Sequence, residues 1–214
     1  MNILFLNLWG GKLTQPLKEF LLEQSAVDVF CFQEAYNVES VLPSFLATYQ
    51  SYTVSKHVVS NVGFDLAVYV HPRLAVLEVV ELFQEDIEIG MALGVRLASS
   101  SGQTVSIINV HGTSRQRVQG VFLDADEKRD FPARLRQSEG LFQFAQTQTS
   151  PVIIGGDFNI LPYTESLDIF RRAGFRDLIS EYGVTTTRNH YAWDRYPESR
   201  RYYHSDYVFV SPGI

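Results

Sequence analysis

Residues 151–159 read PVIIGGDFN, a short apolar run that ends in two glycines, an acid and an amide. The apolar run is typical of a strand that is buried on both faces. Asp157 and Asn159 follow at a spacing of two, which puts their side chains on the same side of an extended backbone. The two glycines remove bulk, so that a substrate or a metal ion can approach the main chain. The stretch predicts a buried strand that ends at a functional site.

Other apolar strand patterns end in polar residues too. Asn7, Glu34 and His111 each stand at the end of such a pattern, as Asp157 and Asn159 do. One polar residue in this position is usually a turn or cap residue, but neighbouring strands bring several of them together at one edge of a rigid scaffold. These strand ends offer carboxylate and amide oxygens, one histidine and no cysteine. Such a set of ligands suits Mg²⁺ or Mn²⁺ better than zinc.

The strand patterns follow one another with little helix between them, which is typical of antiparallel sheets. Strands are predicted at 2–7, 27–32, 51–57, 64–70, 74–82, 91–98, 104–110, 151–154 and 206–210, and helices at 14–24, 39–47, 132–147 and 164–172. These elements predict an α+β protein of packed sheets with outer helices. The chain has no internal repeat or linker, so we expect a single domain over residues 1–214.

The composition indicates a globular protein without strong overall attraction to nucleic acid. Hydrophobic residues make up 45% of the 214 residues, and 24 acids against 18 bases give a net charge of −6. A dedicated duplex-DNA binder is usually basic, so local positive charge favours a phosphate-bearing substrate of modest size. Cys31, the single cysteine, is expected to be a buried structural thiol. Without a signal peptide or a membrane-spanning stretch, we expect a monomeric, cytoplasmic protein.

Five further residues are candidates for contact with the substrate. One of them follows a Gly-Gly pair. Others lie in a long polar loop at 112–131 or in an aromatic, arginine-rich segment at 183–204 that is predicted to be irregular. The alternatives are packing for the tryptophans and ordinary surface positions for the basic residues. The candidates are Trp9, Lys12, Arg115, Lys128 and Trp193.

Five segments, in order, resemble the endonuclease/exonuclease/phosphatase superfamily: FLNLWG, CFQEA, IINVHG, VIIGGDFNILP and SDYVFVSP. The resemblance runs from residue 2 to residue 212. Its most specific part is Gly-Asp-Phe-Asn with an upstream Gln-Glu. The resemblance implies a four-layer α/β-sandwich, in which two mostly antiparallel sheets pack face to face with helices outside.

The resemblance also implies roles for the polar strand ends. Glu34 matches the principal ligand of a single Mg²⁺ or Mn²⁺ ion, with Asn7 beside it at the metal and the phosphate. Asp157 matches the acid that orients or deprotonates the attacking water, and Asn159 matches the amide that holds this water and a phosphate oxygen. His111 matches a histidine that contacts the phosphate and stabilises developing negative charge.

Asp206, at the start of the last strand pattern, matches an acid that orients a catalytic histidine in the family. That histidine belongs to a Ser-Asp-His segment further along the family's chains, whereas this sequence stops at Ile214. His190 and His204 both precede Asp206 and do not match it. We therefore expect an apparently truncated domain that is weakly active or inactive, and a buried Asp206 that is protonated or hydrated.

Together these features predict a Mg²⁺-dependent hydrolase of phosphoester bonds, of the phosphodiesterase or nuclease type. Its partner would be a phosphate-ester substrate, with nucleic acid among the candidates. Two alternatives remain open. One is a phosphomonoesterase that acts on small or lipid phosphates, and the other is a phosphate-binding module without catalysis.

Overall fold

The computed structural model describes residues 1–36, 38, 41–58, 62–118, 121–124, 130–193 and 203–213. The strands are β1 (Ile3–Asn7), β2 (Val29–Gln33), β3 (Gln50–Val58), β4 (Val62–Val70), β5 (Ala75–Leu82), β6 (Met91–Ala98), β7 (Thr104–His111), β8 (Arg115–Val118), β9 (Val121–Asp124), β10 (Val152–Asp157), β11 (Arg176–Asp177) and β12 (Asp206–Val210). The helices are α1 (Thr14–Leu22), α2 (Leu42–Leu46), α3 (Pro132–Thr147), α4 (Glu165–Arg172), α5 (Leu178–Glu181) and α6 (His190–Trp193). Within these ranges, no helix has both the length and the apolarity to cross a membrane.

Two mixed sheets form the centre of the protein. Sheet one has the order β1-β2-β4-β3, and sheet two has the order β11-β12-β10-β7-β6-β5. Only β1 with β2 and β7 with β10 pair in parallel among the strands of these two sheets, and the other neighbours are antiparallel. The prediction of two mostly antiparallel sheets is therefore confirmed.

Alternating side chains sort into three apolar layers, because successive residues of a strand point to opposite faces. Cys31 and Ile107 belong to the core between the sheets. On the outer face of sheet one, Phe30 packs in a cluster with helices α1 and α2. On the outer face of sheet two, Ile154 packs in a cluster that includes Phe170 of α4. The order helix, sheet, sheet, helix is the predicted four-layer sandwich.

The glycines of the PVIIGGDFN stretch allow the protein's own parts to pack closely. A Cβ at position 155 would lie 2.7 Å from the ring of Phe5, so Gly155 lets sheet one approach β10. Gly156 has φ +130°, and a Cβ there would lie 2.2 Å from the carbonyl oxygen of Val110. The structure thus gives both glycines a packing role, and the close approach of a ligand stays a prediction.

Two segments predicted to be irregular contain regular structure. Strands β8 and β9 lie within the loop 112–131 and pair antiparallel, with Arg115 opposite Asp124 and Val118 opposite Val121. Helix α6 lies within the segment 183–204. Each of these elements has only four residues, which is too short to produce a readable hydrophobic period.

Lys56 ties a loop of sheet two to sheet one. It lies on β3, its side chain is buried, and burial lowers the pKa of its ammonium to about 8 although Asp86 and Glu85 oppose this shift. Its Nζ donates hydrogen bonds to the backbone carbonyl oxygens of Phe83, Asp86, Ile89 and Gly90. Four acceptors satisfy a charge that would otherwise be costly to bury. The loop 83–90 is therefore fixed to β3 of sheet one.

Candidate active site

Three polar residues form a row on the inner face of sheet two. His111, Asp157 and Asp206 are register partners on β7, β10 and β12. Register partners point to the same face of a sheet. On β10 this face is the one on which Gly155 meets Phe5 of sheet one. The row therefore points toward the other sheet, at the ends of its three strands.

Sheet one supplies the opposite wall of the site. Asn7 ends β1 on the same face as Phe5, and it is the register partner of Gln33 in β2. Glu34 follows Gln33 directly and is partly exposed, with 23% of its side chain accessible. The side chains of Asn7 and Glu34 thus meet the row of sheet two, as the sequence predicted.

One amide joins the carboxylates of the two sheets. Asn7 Nδ2 donates to Glu34 Oε1 at 3.1 Å and to Asp157 Oδ2 at 2.9 Å. Its Oδ1 accepts a hydrogen bond from the backbone N–H of Trp9 at 2.8 Å, which fixes the orientation of the amide. The hydroxyl of Tyr36 donates to Glu34 Oε2 at 3.3 Å. Both oxygens of Glu34 are therefore held by neutral donors.

Unusual backbone conformations concentrate at the site. Glu34 and Trp9 have φ of 50°, and Asn159 has φ of 56°, in the left-handed region that non-glycine residues rarely adopt. Such conformations cost on the order of 1–3 kcal/mol each and persist where the surrounding structure enforces them. At Glu34 and Asn159, which follow the ends of β2 and β10, this conformation turns the chain out of the strand direction.

Asn159 and Asp157 hold each other in place. The backbone N–H of Asn159 donates to Asp157 Oδ1 at 2.8 Å, and its side-chain Nδ2 donates to the carbonyl oxygen of Gly112 at 2.8 Å. The N–H of Gly112 donates in turn to the carbonyl oxygen of Asp157 at 2.7 Å. Both Asp157 oxygens thus have a donor, one from Asn159 and one from Asn7.

His111 stands beside the metal-ligand candidate of sheet one. Its Nε2 lies 3.9 Å from Glu34 Oε1, too far for a hydrogen bond but close enough for electrostatic attraction when the imidazole is protonated. The residue is only 6% exposed. A donor at this point could face a phosphate oxygen that lies next to Glu34.

The carboxyl of Asp206 is adapted to hold a proton. Burial raises its pKa to about 7, with the adjacent Asp157 as the second cause, against smaller opposing effects of Ser205, Thr187 and Arg188. The hydroxyl of Ser205 donates to Asp206 Oδ2 at 2.7 Å. The direction of this shift agrees with the expectation from the sequence.

The raised pKa of Asp206 predicts a pH dependence of stability. Between about pH 4 and pH 7 the folded state binds this proton more tightly than the unfolded chain, so its stabilising contribution is complete below pH 4 and lost as the pH rises through 7. In Asp206→Asn we expect the free energy of unfolding, relative to the wild type, to increase from pH 4 to pH 8. Urea unfolding across this range measures the difference. The exposed control Glu165→Gln should keep the wild-type pH slope, and parallel curves for Asp206→Asn would contradict the assignment.

The structure describes the five candidates for substrate contact to different extents. Trp9 is half-buried beside the site, and the exposed Lys12 has its Nζ 4.9 Å from the centre of the Trp9 indole ring. Arg115 begins β8 and Trp193 ends α6. Lys128 lies outside the described residues. The structure therefore brings Trp9, and Lys12 with it, next to Asn7.

Two site residues were missed by sequence reasoning. Tyr36 donates to Glu34, and its ring packs on Gly10, where a Cβ would lie 2.2 Å from a ring carbon. Burial and Glu34 raise the pKa of Tyr36 to about 12, so it remains a donor. Thr187 accepts hydrogen bonds through Oγ1 from the backbone N–H groups of Ser205 and Asp206 at 3.1 and 3.2 Å. The position of Tyr36 two residues after Glu34 was the only sequence signal for the first, and none existed for the second.

The residues present fit a hard divalent cation held by few protein ligands. Among the described residues, no three His, Cys, Asp or Glu side chains gather into a metal cluster. Glu34 instead offers one partly exposed carboxylate beside amide oxygen and nitrogen atoms. Mg²⁺ commonly binds in this way, through one or two carboxylates together with water and substrate phosphate. The donor set therefore suits Mg²⁺ or Mn²⁺ and not a structural zinc.

Solved structures share the fold. The catalytic domain of human Nocturnin with bound sulfate matches at a TM-score of 0.69 and 16% identity, over 98% of this chain and 81% of that one. D. rerio TDP2 complexed with a single-strand DNA product matches at 0.67 and 16%, over 98% and 82%. A mannosyl-6-phosphatase of Bacteroides thetaiotaomicron matches at 0.65 and 16%, over 95% and 78%. At this level of identity the likeness shows the fold alone.

The sequence itself defines the family. The profile of the Endonuclease/Exonuclease/phosphatase family matches residues 4–214, and the chain belongs to this family. Members are in general phosphoester hydrolases and typically depend on divalent metal ions. A search of curated protein sequences gives no match.

Proposed function

We propose that this protein is a Mg²⁺- or Mn²⁺-dependent hydrolase of phosphate esters, of the phosphodiesterase or nuclease type. One observation carries the proposal. A carboxylate from each sheet, Glu34 and Asp157, meets at a single amide, Asn7, at 3.1 and 2.9 Å. Hydrolysis of a phosphoester needs neutralised phosphate oxygens and an aligned water. Glu34 would hold the cation that neutralises these oxygens, and Asp157 would align the water.

Glu34, with Asn7 beside it, would hold one ion, which when bound supplies Lewis-acid stabilisation to the phosphate oxygens. Asp157 would orient the attacking water and accept its proton. Its carboxylate is suited to this because Asn7 and the Asn159 N–H fix the position of both oxygens. General-base assistance of this kind contributes roughly 10²–10⁴-fold to the rate.

His111 and Asn159 would donate to the phosphate. His111 is buried beside Glu34, so its ring is protected from bulk water. Electrostatic stabilisation is stronger in such a site than in water. Asn159 uses one amide hydrogen on Gly112 and has a second for an oxygen of the substrate. Asp206, the register partner of Asp157, would orient a donor group by accepting a hydrogen bond from it.

Trp9 and Lys12 would bind the part of the substrate that projects from the site. Their cation–π contact presents an aromatic face and a positive charge together. Substrate contacts by Arg115, Lys128 and Trp193 stay predictions, as do the monomeric state, the cytoplasmic location and the weak activity expected from the sequence.

A second candidate is hydrolysis of phosphomonoesters. The fold match to a mannosyl-6-phosphatase supports it, whereas the match to TDP2 with a DNA product supports the nuclease type. The net charge of −6 argues against tight binding of duplex DNA.

Hydrolysis assays with Mg²⁺ and with EDTA test the proposal. The panel is bis-p-nitrophenyl phosphate, single-stranded and abasic DNA, RNA, inositol phosphates, mannose 6-phosphate and sphingomyelin. We expect EDTA-sensitive turnover of at least one phosphodiester, with salt-dependent affinity if the substrate is a nucleic acid. Turnover of monoesters alone would support the second candidate. Binding of phosphate esters without turnover would identify a non-catalytic module and reject both.

A further inference from the structure

Two buried amides connect the sheets just behind the proposed site. Gln33 ends β2 and Asn109 lies on β7, and both side chains are completely buried. Gln33 Nε2 donates to Asn109 Oδ1 at 2.5 Å. Asn109 Nδ2 donates to the carbonyl oxygens of Phe32 at 2.9 Å and Ala67 at 3.4 Å, both in sheet one. Asn109 of sheet two is thus fixed to two strands of sheet one.

The surroundings of this pair are apolar. The inner faces of β2 and β7 carry Cys31 and Ile107 two residues before the amides, and both belong to the core between the sheets. Buried amides are costly unless their hydrogen bonds are made. Gln33 Oε1 is buried and has no hydrogen-bond partner within the described part of the chain. For stability alone, a pair of apolar side chains would fit the position at least as well.

On both sheets the amides lie next to residues of the proposed active site. Gln33 is the register partner of Asn7 and the chain neighbour of Glu34. Asn109 is two residues before His111, and its register partner on β10 is two residues before Asp157. Apolar contacts between sheets allow small sliding motions, whereas hydrogen bonds are directional and fix one relative position.

We propose that Gln33 and Asn109 are positioning residues that set the relative placement of the two sheets, and with it the separation of Glu34 from Asp157 and His111. The proposal rests on the proposed function of this site. Through this placement the amides act on metal affinity and on the rate of the chemical step, without touching the substrate. Errors of about 1 Å in such placement can cost a hundredfold in rate.

The double variant Gln33→Met/Asn109→Leu tests the proposal. It removes both amides together, so neither side chain is left with an unpaired amide partner, although the carbonyl oxygens of Phe32 and Ala67 each lose a donor. We expect it to fold with a urea midpoint close to that of the wild type. Its kcat for bis-p-nitrophenyl phosphate should fall roughly ten- to hundredfold, and its affinity for Mn²⁺, measured by electron paramagnetic resonance, should fall by a similar factor. The single variant Asn109→Leu should lose both stability and activity.

Ile107→Ala is the matched control, because it alters the same face of β7 two residues further from the site. It should lower the urea midpoint and leave kcat and Mn²⁺ affinity unchanged. Wild-type kcat and Mn²⁺ affinity in the double variant would overturn the positioning role. If the wild type binds Mn²⁺ through Glu34 but hydrolyses no phosphoester, the proposed function fails and Mn²⁺ affinity alone decides the role of the amides. Absence of Mn²⁺ binding in the wild type would overturn both.

Discussion

Glu34→Gln should lower kcat/KM for Mg²⁺-dependent hydrolysis of bis-p-nitrophenyl phosphate by about a thousandfold or more. The glutamine keeps the shape of the side chain, and its one oxygen can still accept from Asn7 or from Tyr36. It removes the one negative charge that Glu34 offers to a cation. A thousandfold corresponds to about 4 kcal/mol of transition-state stabilisation, which is within the range that a bound metal ion supplies.

A titration of activity with Mg²⁺ measures this effect, since Glu34→Gln should also need a far higher Mg²⁺ concentration for half-maximal rate. Glu23→Gln, at an exposed position after α1, is the matched control and should behave as the wild type. Activity of Glu34→Gln within tenfold of the wild type would remove Glu34 from the site. Vigorous turnover by the wild type that Glu34→Gln abolishes would refute the expected weak activity but support the metal role.

Asp157→Asn should lower kcat by about 10³-fold while the affinity for Mn²⁺ stays within a few-fold of the wild type, because general-base assistance is lost but Glu34 remains. The variant also relieves the repulsion between Asp157 and Asp206 that helps to raise the pKa of Asp206. We therefore expect stability at pH 8 to rise or stay constant while activity falls. A loss of activity without a loss of stability is typical of residues that are retained for function.

Asp177→Asn should have the opposite effects, with lower stability and unchanged activity. Asp177 is buried, accepts from Arg171 at 2.7 and 3.1 Å, and caps α5 through the N–H groups of Ile179 and Ser180. Its replacement should reduce the free energy of unfolding by about 1–3 kcal/mol and leave kcat unchanged. Urea unfolding and single-turnover kinetics on both variants separate the two roles. A stable, active Asp157→Asn enzyme would refute the assignment of the base.

The fold was largely predictable because its main elements have clear periods. The stretch 151–159 and the other apolar runs identified the buried strands, and their polar ends identified Asn7, Glu34, His111 and Asp157. The convergence of these residues depends on register, which the sequence suggests only through the alternation of inner and outer positions. Roles for individual residues came from the family resemblance, and the structure shows their arrangement without testing those roles.

Other features could not be predicted because they depend on contacts between distant parts of the chain. Lys56 reads as a surface lysine in a polar strand, and its burial becomes apparent only when the loop 83–90 folds over it. Thr187 lies in an irregular segment, yet its hydroxyl caps the start of β12. The bond between Asn7 and Asp157 spans 150 residues of sequence. No local pattern encodes such pairs.

Cys31 gives the protein an internal chemical probe. Its thiol is completely buried between the sheets, and burial raises the pKa of the thiol. The thiolate is the nucleophile that reacts with alkylating reagents, so modification requires the sheets to separate and expose it. The rate of modification then reports the population of that open state. The carbonyl oxygen of Cys31 accepts from Gln33 Nε2 at 3.1 Å, directly behind the proposed site. A metal ion or substrate that binds across the two sheets should therefore protect this thiol, so that binding can be followed without a label and without turnover.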